Sequence, residues 1–344
     1  MKKALLALAG LVVVLLVALR MAGDASYWRR YAAELGGFGA EEAANVTQPR
    51  LRIAGAPAPV PQASAEAENM LPAALAEARD VSGEQQLYAF IVHRHGHAVL
   101  EYFGGAREQI AQVSGGELAA LPFALAVGVL ADAGRVDLKA ALQGIREATR
   151  QSTGWRNPWS ADARSRFNLR AAPPLLLQDA EGDVANTLSQ RVWMPLHADD
   201  AWLWGRDDKA LRVDCCMVAQ VTDWLRLGDL LLGQGTYQGE RIVSPDWIRQ
   251  LLAVDAEGSA HPVWLGEQQP WTGDEPPHAR DTYWFDLAQD MRLWLVPRRG
   301  IAMLAWGRGD KARDTLIPNI ILRGLTDQAP AVTGGGLNEL VPGH

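Results

Sequence analysis

The sequence predicts an α+β fold in which an antiparallel sheet is flanked by helices and joined to a mostly helical lobe. Residues 86–103 and 291–306, near the two ends of the folded part, are rich in β-branched and aromatic residues and are typical of strands. Several stretches with apolar residues at helical spacing lie between them. This order predicts that the terminal strands share one sheet and that the middle helices form a second lobe.

The composition is that of an ordinary globular protein without a basic nucleic-acid-binding patch. Of the 344 residues, 48% are hydrophobic and 21% are charged, which is enough for one large domain or two small ones. The net charge is −7 and no run is rich in lysine or arginine, so nucleic acid is excluded as a partner. The adjacent Cys215 and Cys216 do not reach ordinary disulfide geometry without strain. They are expected to be small, partly buried thiols, with a vicinal redox pair as the alternative.

The first 25 residues are predicted to target the chain to a membrane. Lys2 and Lys3 precede an apolar run over 4–19, whose length favours an uncleaved anchor over a signal peptide. The lysines predict that the N-terminus stays in the cytoplasm, which places the domain in the cell envelope, in the periplasm or outside. A cleaved signal, and hence a secreted protein, stays the alternative. Residues 26–65 are expected to form a juxtamembrane region and a Pro/Ala-rich linker.

The folded domain is expected over 66–326, followed by a disordered tail over 327–344. The predicted elements are a helix over 66–80, a hairpin over 86–103 with a His-Gly turn, a buried helix over 117–133, helices over 183–195, 217–235 and 244–252, strands over 291–297 and 300–306, and a helix over 311–325. A serine N-cap followed by proline marks the start of the helix at 244. Residues 150–180 and 255–281 are expected to be irregular.

The helix expected over 117–133 carries no charge from Leu118 to Ala131 and should be buried on every side. Its first turn offers Glu117 followed by leucine and alanines, where a nucleophile would stand in many such helices. Pro122 cannot donate a backbone hydrogen bond inside a helix. The helix therefore either kinks at Pro122 or starts near residue 121, with the proline in its first turn.

Three stretches carry a resemblance to a known group. They are FIVHRHGHAVLEYF (90–103), ALAVGVLADAGRVDL (124–138), and the pair LSQRVWMPLHADDAWLW (188–204) with VAQVTDWLRLGDLLLGQGTYQGERIVSPDWI (218–248). In this order they resemble the serine β-lactamase and penicillin-binding-protein superfamily, above all its branch of 6-aminohexanoate-dimer hydrolases and related esterases. The resemblance spans about 65–325. The third stretch is the most specific, because it combines Trp-x-Pro-Leu, a helix, a Gly-rich turn and Ser-Pro-x-Trp.

The resemblance implies an acyl-transfer site whose catalytic residues are missing. In that group the serine of Ser-x-x-Lys attacks a carbonyl, while the lysine, one helical turn away, and a tyrosine manage the proton. Counting back from the Asp-Ala-Gly at 132–134 places Glu117 at the serine position and Ala120 at the lysine position. Ser-x-x-Lys occurs nowhere in the chain, and no tyrosine is followed two residues later by serine or asparagine. The Lys-Thr-Gly-type motif expected near 287–294 is also missing.

Four residues are candidates for the remaining pocket: Ser114, Glu117, Cys216 and Trp284. Glu117 would be a nucleophile or general base, or it would form a capping box with Ser114. Ser114 would be a displaced nucleophile, and Cys216 a thiolate activated at the start of a helix. Trp284 belongs to a set of tryptophans, with Trp264 and Trp271, that would line a groove or simply pack in the core.

His93, His95 and His97 alternate as three ligands on one strand face would. Gly96 stands in the expected turn, however, and a turn breaks the shared face. A solvated turn is therefore expected, and neither a metal nor a cofactor is predicted.

The sequence thus predicts a membrane-tethered pseudoenzyme that binds a small molecule, a peptide or an envelope protein. An active amide or ester hydrolase of the same fold with a relocated nucleophile is the first alternative. A metal-dependent protein that uses the His turn is the second.

Overall fold

The computed structural model describes residues 50–105, 112–115, 118–119, 121–137, 183–204, 217–252, 264–265, 282–287, 291–307 and 316–327. The chain divides into two units, and the fold described here belongs to the second, Leu51–His344. The anchor predicted over 1–25, the irregular stretch at 150–180 and most of the tail lie outside the described residues. In the described part of the chain, no helix is long and apolar enough to cross a membrane.

The described elements alternate between strands and helices. The strands are β1 (Arg50–Ile53), β2 (Ala89–Arg94), β3 (His97–Phe103), β4 (Gln112–Ser114), β5 (Ala201–Trp204), β6 (Met217–Gln220), β7 (Thr236–Tyr237), β8 (Glu240–Arg241), β9 (Trp264–Leu265), β10 (Tyr283–Leu287), β11 (Met291–Val296) and β12 (Ile301–Trp306). The helices are α1 (Pro72–Glu84), α2 (Leu121–Asp132), α3 (Val184–Leu188), α4 (Val221–Leu232), α5 (Pro245–Leu252) and α6 (Leu316–Arg323). The fold class is α+β, as predicted.

The main sheet has six strands in the order β3-β2-β12-β11-β10-β9, and each pairing is antiparallel. Strand β2 pairs with β12 from Ala89 opposite Trp306 to Arg94 opposite Ile301. Strands from the two ends of the domain therefore share one sheet, which confirms the prediction. The first hairpin turns at His95 and Gly96, whose φ angles of 49° and 80° suit a tight two-residue hairpin turn.

Two helical layers cover the main sheet. Helix α4 packs against β2, β11 and β12 on one face, and α1 and α6 pack against each other on the opposite face. Successive side chains of β2 point to opposite faces of the sheet. Ile91 lies in the core beside α4, whereas Phe90 and Val92 lie in the core beside α1 and α6. Both faces of the central strands β2, β11 and β12 are thus largely buried.

A second sheet, in the order β1-β5-β6-β4, was not predicted. Each of its strands has only three or four residues, too few for a periodic pattern of apolar residues. Strand β6 occupies the first four residues of the helix predicted over 217–235, so α4 begins later, at Val221. This small sheet leads the chain into α2 and α4.

Two proline positions decide where helices begin. Helix α1 starts with Pro72 in its first turn, and not at residue 66 as predicted, because residues 65–69 form turns. Helix α2 starts at Leu121 with Pro122 in the first turn, which confirms the later of the two predicted starts. Helix α5 begins as predicted, with the Ser244 hydroxyl accepting a hydrogen bond from the Trp247 amide.

Residues 54–63, which we call the strap, form the Pro/Ala-rich segment of the predicted linker. The strap has almost no regular structure, yet it lies on the domain. Its Ala63 amide donates to the Ala98 carbonyl over 3.1 Å, and the Ala98 amide donates to the Pro61 carbonyl over 2.8 Å. At Gly55 a β-carbon would overlap the carbonyl of Ala198, so only glycine fits. The strap thus connects β3 of the main sheet with the segment that precedes β5.

The first residue of the predicted tail is bound to the domain. The buried guanidinium of Arg94 donates to the Asp327 carboxylate over 2.6 Å. It also donates to the backbone carbonyls of Glu68 and Asn69. Arg94 therefore joins the two ends of the described domain at the tip of the first hairpin.

Candidate functional site

The expected nucleophile position lies between β4 and α2. Strand β4 ends at Ser114, and the Gly115 amide donates to the Met217 carbonyl of β6 over 3.1 Å. The chain then turns, with the Leu118 amide donating to the Gly115 carbonyl over 2.9 Å, and α2 follows. Glu117 and Ala120 themselves lie outside the described residues. The described parts on either side are a strand that ends at Ser114 and a buried helix that starts at Leu121.

The described side chains around the start of α2 are apolar and buried. Leu118 is 2% exposed, and Ala119 and Phe123 are fully buried. Pro122 is buried as well. Leu118, Ala119 and Phe123 belong to the larger hydrophobic core of the domain.

Among the candidate residues that the structure describes, Ser114 is the one with a nucleophilic side chain, and the sequence suggested it as a displaced nucleophile. It is 4% exposed and stands opposite Val218 in the β4–β6 pair. Ser114 is therefore a buried residue of a paired strand. Cys216, like Glu117, lies outside the described residues.

Trp224 of α4 fills the space beneath the turn. Its indole nitrogen donates to the Val113 carbonyl over 3.1 Å, and a β-carbon on Gly115 would overlap its six-membered ring. Trp247 of α5 makes a similar hydrogen bond to α2. Its indole nitrogen donates to the Ala124 carbonyl over 3.0 Å. The two indoles hold β4 and α2 in place.

Trp284, the last candidate, stands on β10 of the main sheet. It lies directly opposite Trp264 of β9 on one side and Trp294 of β11 on the other. The structure therefore brings together two of the tryptophans that the groove hypothesis groups, while Trp271 lies outside the described residues. Trp294 is 4% exposed and belongs to the core that α1 and α6 cover.

The His turn differs in part from the expectation. His95 and His97 have half-exposed side chains, and each places its Nδ1 within 2.8 Å of a carboxylate oxygen of Glu68. His93 is not solvated but fully buried, and its Nδ1 hydrogen-bonds to the Asp229 carboxylate over 2.7 Å. This difference arises because His93 precedes the turn, on the strand face that α4 covers. Within the described ranges, no group of three His, Cys, Asp or Glu side chains is arranged to hold a metal ion.

Sequence reasoning missed a buried polar network along α4. Asp223, Arg226 and Asp229 follow one another at a spacing of three residues, and all are less than 8% exposed. Arg226 donates from Nη1 to the Tyr237 hydroxyl over 2.9 Å and from Nη2 to the Ala58 carbonyl over 2.7 Å. The signal was present in the sequence, since three charged residues interrupt an otherwise apolar helix.

The network changes the acidity of two of its members. Burial raises the pKa of Asp223 to about 7, although the charge of Arg226 opposes this effect. Burial likewise raises the pKa of Tyr237 above its usual value. The Asp223 carboxyl therefore gains and loses its proton near neutrality, in a region remote from solvent.

Comparison with solved structures gives the class of fold. A protein from Bacillus anthracis that carries the name 6-aminohexanoate-dimer hydrolase superposes with a TM-score of 0.58 at 13% identity, over 82% of this chain and 91% of its own. A penicillin-binding protein homolog from Caulobacter crescentus gives a TM-score of 0.50 at 13% identity, over 73% and 97% of the two chains. A β-lactamase from Mycobacterium bovis gives 0.51 at 16% identity, over 72% and 97%.

The chain therefore has the fold of the serine β-lactamase and penicillin-binding-protein-like hydrolases, as the sequence resemblance implied. No protein-family model matches the sequence, and no curated protein matches it. At identities of 13 to 16% the likeness extends to the fold alone.

Proposed function

We propose that this domain is a non-catalytic relative of the serine β-lactamase-like hydrolases that works by binding a ligand or partner in the cell envelope. One observation carries the proposal. No lysine anywhere in the chain is preceded three residues earlier by serine, so the chain lacks the serine and lysine that share a helix face in that group. A buried lysine beside the serine is what gives this chemistry its base.

The surroundings of the old site support the same conclusion. Leu118 and Ala119, which flank the expected nucleophile position, are buried, and the ring of Trp224 packs against Gly115. A site emptied of its nucleophile can be filled with apolar side chains at no cost to function. An active site must instead keep polar groups and an opening.

The envelope location and the class of partner belong to the same proposal. The apolar run over 4–19 behind two lysines supports a membrane tether for the domain. The partner would then be a small molecule, a peptide or another envelope protein. The tryptophans Trp264 and Trp284, opposite each other in β9 and β10, mark the region where such a ligand would be sought.

The proposal is tested by the intact mass of the full chain after incubation with a fluorophosphonate and, separately, with a penicillin. The expected result is an unchanged mass with both reagents, while an active relative is labelled under the same conditions. A heat-denatured sample of the same chain serves as the control for labelling that does not depend on the fold.

A stoichiometric mass increase of the folded chain would overturn the proposal and establish the active-hydrolase alternative. Peptide mapping would then name the nucleophile. The variants Ser114→Ala, Glu117→Gln and Cys216→Ser would each be treated with the same probes. The one that loses its label would identify the residue that reacts.

A further inference from the structure

The turn over 65–69, which joins the strap to α1, is fastened to the tip of the first hairpin. Its Glu68 is 7% exposed, and the Nδ1 atoms of His95 and His97 lie 2.7 Å and 2.8 Å from the two oxygens of its carboxylate. The carboxylate comes from the turn and both rings come from the hairpin, so the side chains connect these two segments directly. We call Glu68, His95 and His97 together the clasp.

The two imidazole contacts of the clasp differ in kind. Nδ1 of His95 hydrogen-bonds to Oε2 of Glu68, and a neutral ring with its proton on Nδ1 can make this bond too. Nδ1 of His97 is buried beside Oε1 of Glu68, yet it has no hydrogen-bond partner. A contact of this kind is attractive when the ring carries a positive charge, whereas a neutral ring gains little from it. The His97 contact therefore depends on the protonation of the ring.

Protons can reach the clasp from solvent, while its carboxylate is shielded from water. The side chains of His95 and His97 are 54% and 43% exposed, whereas that of Glu68 is 9% exposed. A shielded carboxylate depends on nearby groups to compensate its charge. Here the groups that contact its oxygens are two imidazoles, and imidazole is the side chain whose charge changes most readily between pH 5 and 8.

We propose that the clasp is a proton-dependent fastening between the turn and the hairpin, which holds most firmly while His95 and His97 are charged. A carboxylate favours the protonated form of a neighbouring imidazole, so formation of the contact and uptake of a proton support each other. The stabilisation is therefore present in mildly acidic solution and is lost as the pH rises and the rings lose their charge. This inference does not depend on whether the domain is a pseudoenzyme.

The clasp acts where the strap ends. The amide of Ala63, the last residue of the strap, donates to the carbonyl of Ala98, the neighbour of His97 on β3. The next residues of the chain form the turn that carries Glu68. A change in the charge of His97 therefore acts on the attachment of the strap and of the turn to the edge of the main sheet. A mildly acidic medium would hold this segment most firmly.

Other groups close to the clasp also carry charge or titrate. They are Glu66 in the turn, His93 and Arg94 on β2, Arg298 and Arg299 before β12, and Asp327. The arginines keep their charge at every pH used here. Burial acts to raise the pKa of Asp327, but Arg94 outweighs it and holds the value below the usual range, so Asp327 stays ionised above pH 5. His93 bonds to Asp229 on the face that α4 covers, and only a variant at Glu68 separates its titration from that of the clasp.

The test is hydrogen exchange of the Asn69 and Met70 amides in the full chain, expressed as protection factors so that the intrinsic pH dependence of exchange is removed. Both amides bond to carbonyls within the turn. In the native protein we expect their protection to fall about two- to fivefold between pH 5.5 and 8, as for partly exposed ion pairs. In Glu68→Gln, which removes the charge and keeps the size of the side chain, this fall should be absent. An equal fall in Glu68→Gln, or no fall in the native protein, would overturn the proposal.

Glu66→Gln is the matched control, because it removes the same charge from an exposed glutamate of the same turn. We expect this variant to keep the fall in protection between pH 5.5 and 8. If Glu68→Gln fails to fold, His97→Gln decides the matter, since this side chain is half exposed and its loss leaves the bond from His95 to Glu68 in place. The fall should be smaller in His97→Gln than in the native protein. A fall of the native size would overturn the proposal.

Discussion

The indole nitrogen of Trp224 donates a hydrogen bond of 3.1 Å to the backbone carbonyl of Val113. Val113 lies on the strand that leads to the expected nucleophile position, and Trp224 lies on the helix that covers the main sheet. The bond therefore joins the small sheet to α4 directly beneath the turn at Gly115. It makes this turn a packed part of the core.

Gly115→Ala is expected to destabilise the protein by about 1–3 kcal/mol, as overpacking of a core usually does. The reason is that the new methyl group would overlap the six-membered ring of Trp224. Urea unfolding of both proteins measures the difference in the free energy of unfolding.

A second substitution, at Trp224, tests whether its ring is what restricts residue 115. In Trp224→Phe the side chain is smaller and reaches less far towards residue 115, so the double variant should lose less than the sum of the two single variants. Strictly additive losses would show that the indole of Trp224 is not what restricts residue 115.

Gly128→Ala and Gly83→Ala are expected to have opposite effects, although both glycines stand in helices. Alanine normally stabilises a helix relative to glycine by about 1 kcal/mol. At Gly83 the nearest atom to a new β-carbon is the Tyr102 hydroxyl at 3.6 Å, so this gain should appear. At Gly128 the β-carbon would overlap the five-membered ring of Trp247, so the protein should be destabilised. Thermal unfolding of the two variants decides the sign, and a stabilised Gly128→Ala would contradict the packing described.

The parts of the fold that the sequence predicted are those that depend on local chemistry. The first hairpin follows from a His-Gly turn between two β-rich runs, and α2 begins at Leu121 because Pro122 is acceptable only in a first turn. The small second sheet could not be predicted, because strands as short as Gln112–Ser114 have no measurable period. Strand β4 pairs with a strand far along the chain, as Gln112 with Gln220 shows, and Arg52 of β1 bonds to Asp200, 148 positions away.

The candidate site could be predicted only as a position in the chain. The sequence places Glu117 and Ala120 where serine and lysine would stand, and both lie outside the described residues. The network of Asp223 and Arg226 escaped prediction for another reason. Its partners, such as the Ala58 carbonyl, lie far away in the sequence and are backbone groups that carry no signature.

Arg226→Leu is expected to destabilise the protein by about 3–5 kcal/mol, because it removes one member of a buried charged network. Asp223 would lose its ion-pair partner, and the Ala58 and Leu196 carbonyls would lose a donor. Urea unfolding below pH 7, where Asp223 is largely protonated, should show a smaller loss than unfolding above pH 7.

Arg249→Ala serves as the control for the removal of an arginine. Arg249 also pairs with an aspartate three residues earlier on a helix, Asp246, but both side chains are well exposed. Exposed pairs of this kind contribute between about 0 and 1 kcal/mol. A loss at Arg249 equal to that at Arg226 would mean that burial does not set the strength of these pairs.

Asp327→Asn is expected to lower stability at neutral pH and to have no effect in strong acid. Burial alone would raise the pKa of Asp327, but the hydrogen bond and charge of Arg94 outweigh it and hold the pKa below its usual value. A carboxyl group with a lowered pKa in the folded state stabilises the protein above the pKa that it has when unfolded, about 3.9. This contribution is lost as the pH falls through the folded-state value, because the protonated carboxyl no longer attracts Arg94.

The measurement is the midpoint of thermal unfolding of the native chain and of Asp327→Asn from pH 7 down to about pH 2. The two curves should be separated at pH 7 and should converge below about pH 4. Asp223→Asn provides the opposite case. Burial raises the pKa of Asp223, so the native protein loses stability at this residue as the pH rises towards 7, and the variant should not show this loss. A difference between native protein and Asp327→Asn that stays constant with pH would show that the carboxylate charge does not hold Arg94. Asp327 would then be bound by shape and hydrogen bonding alone.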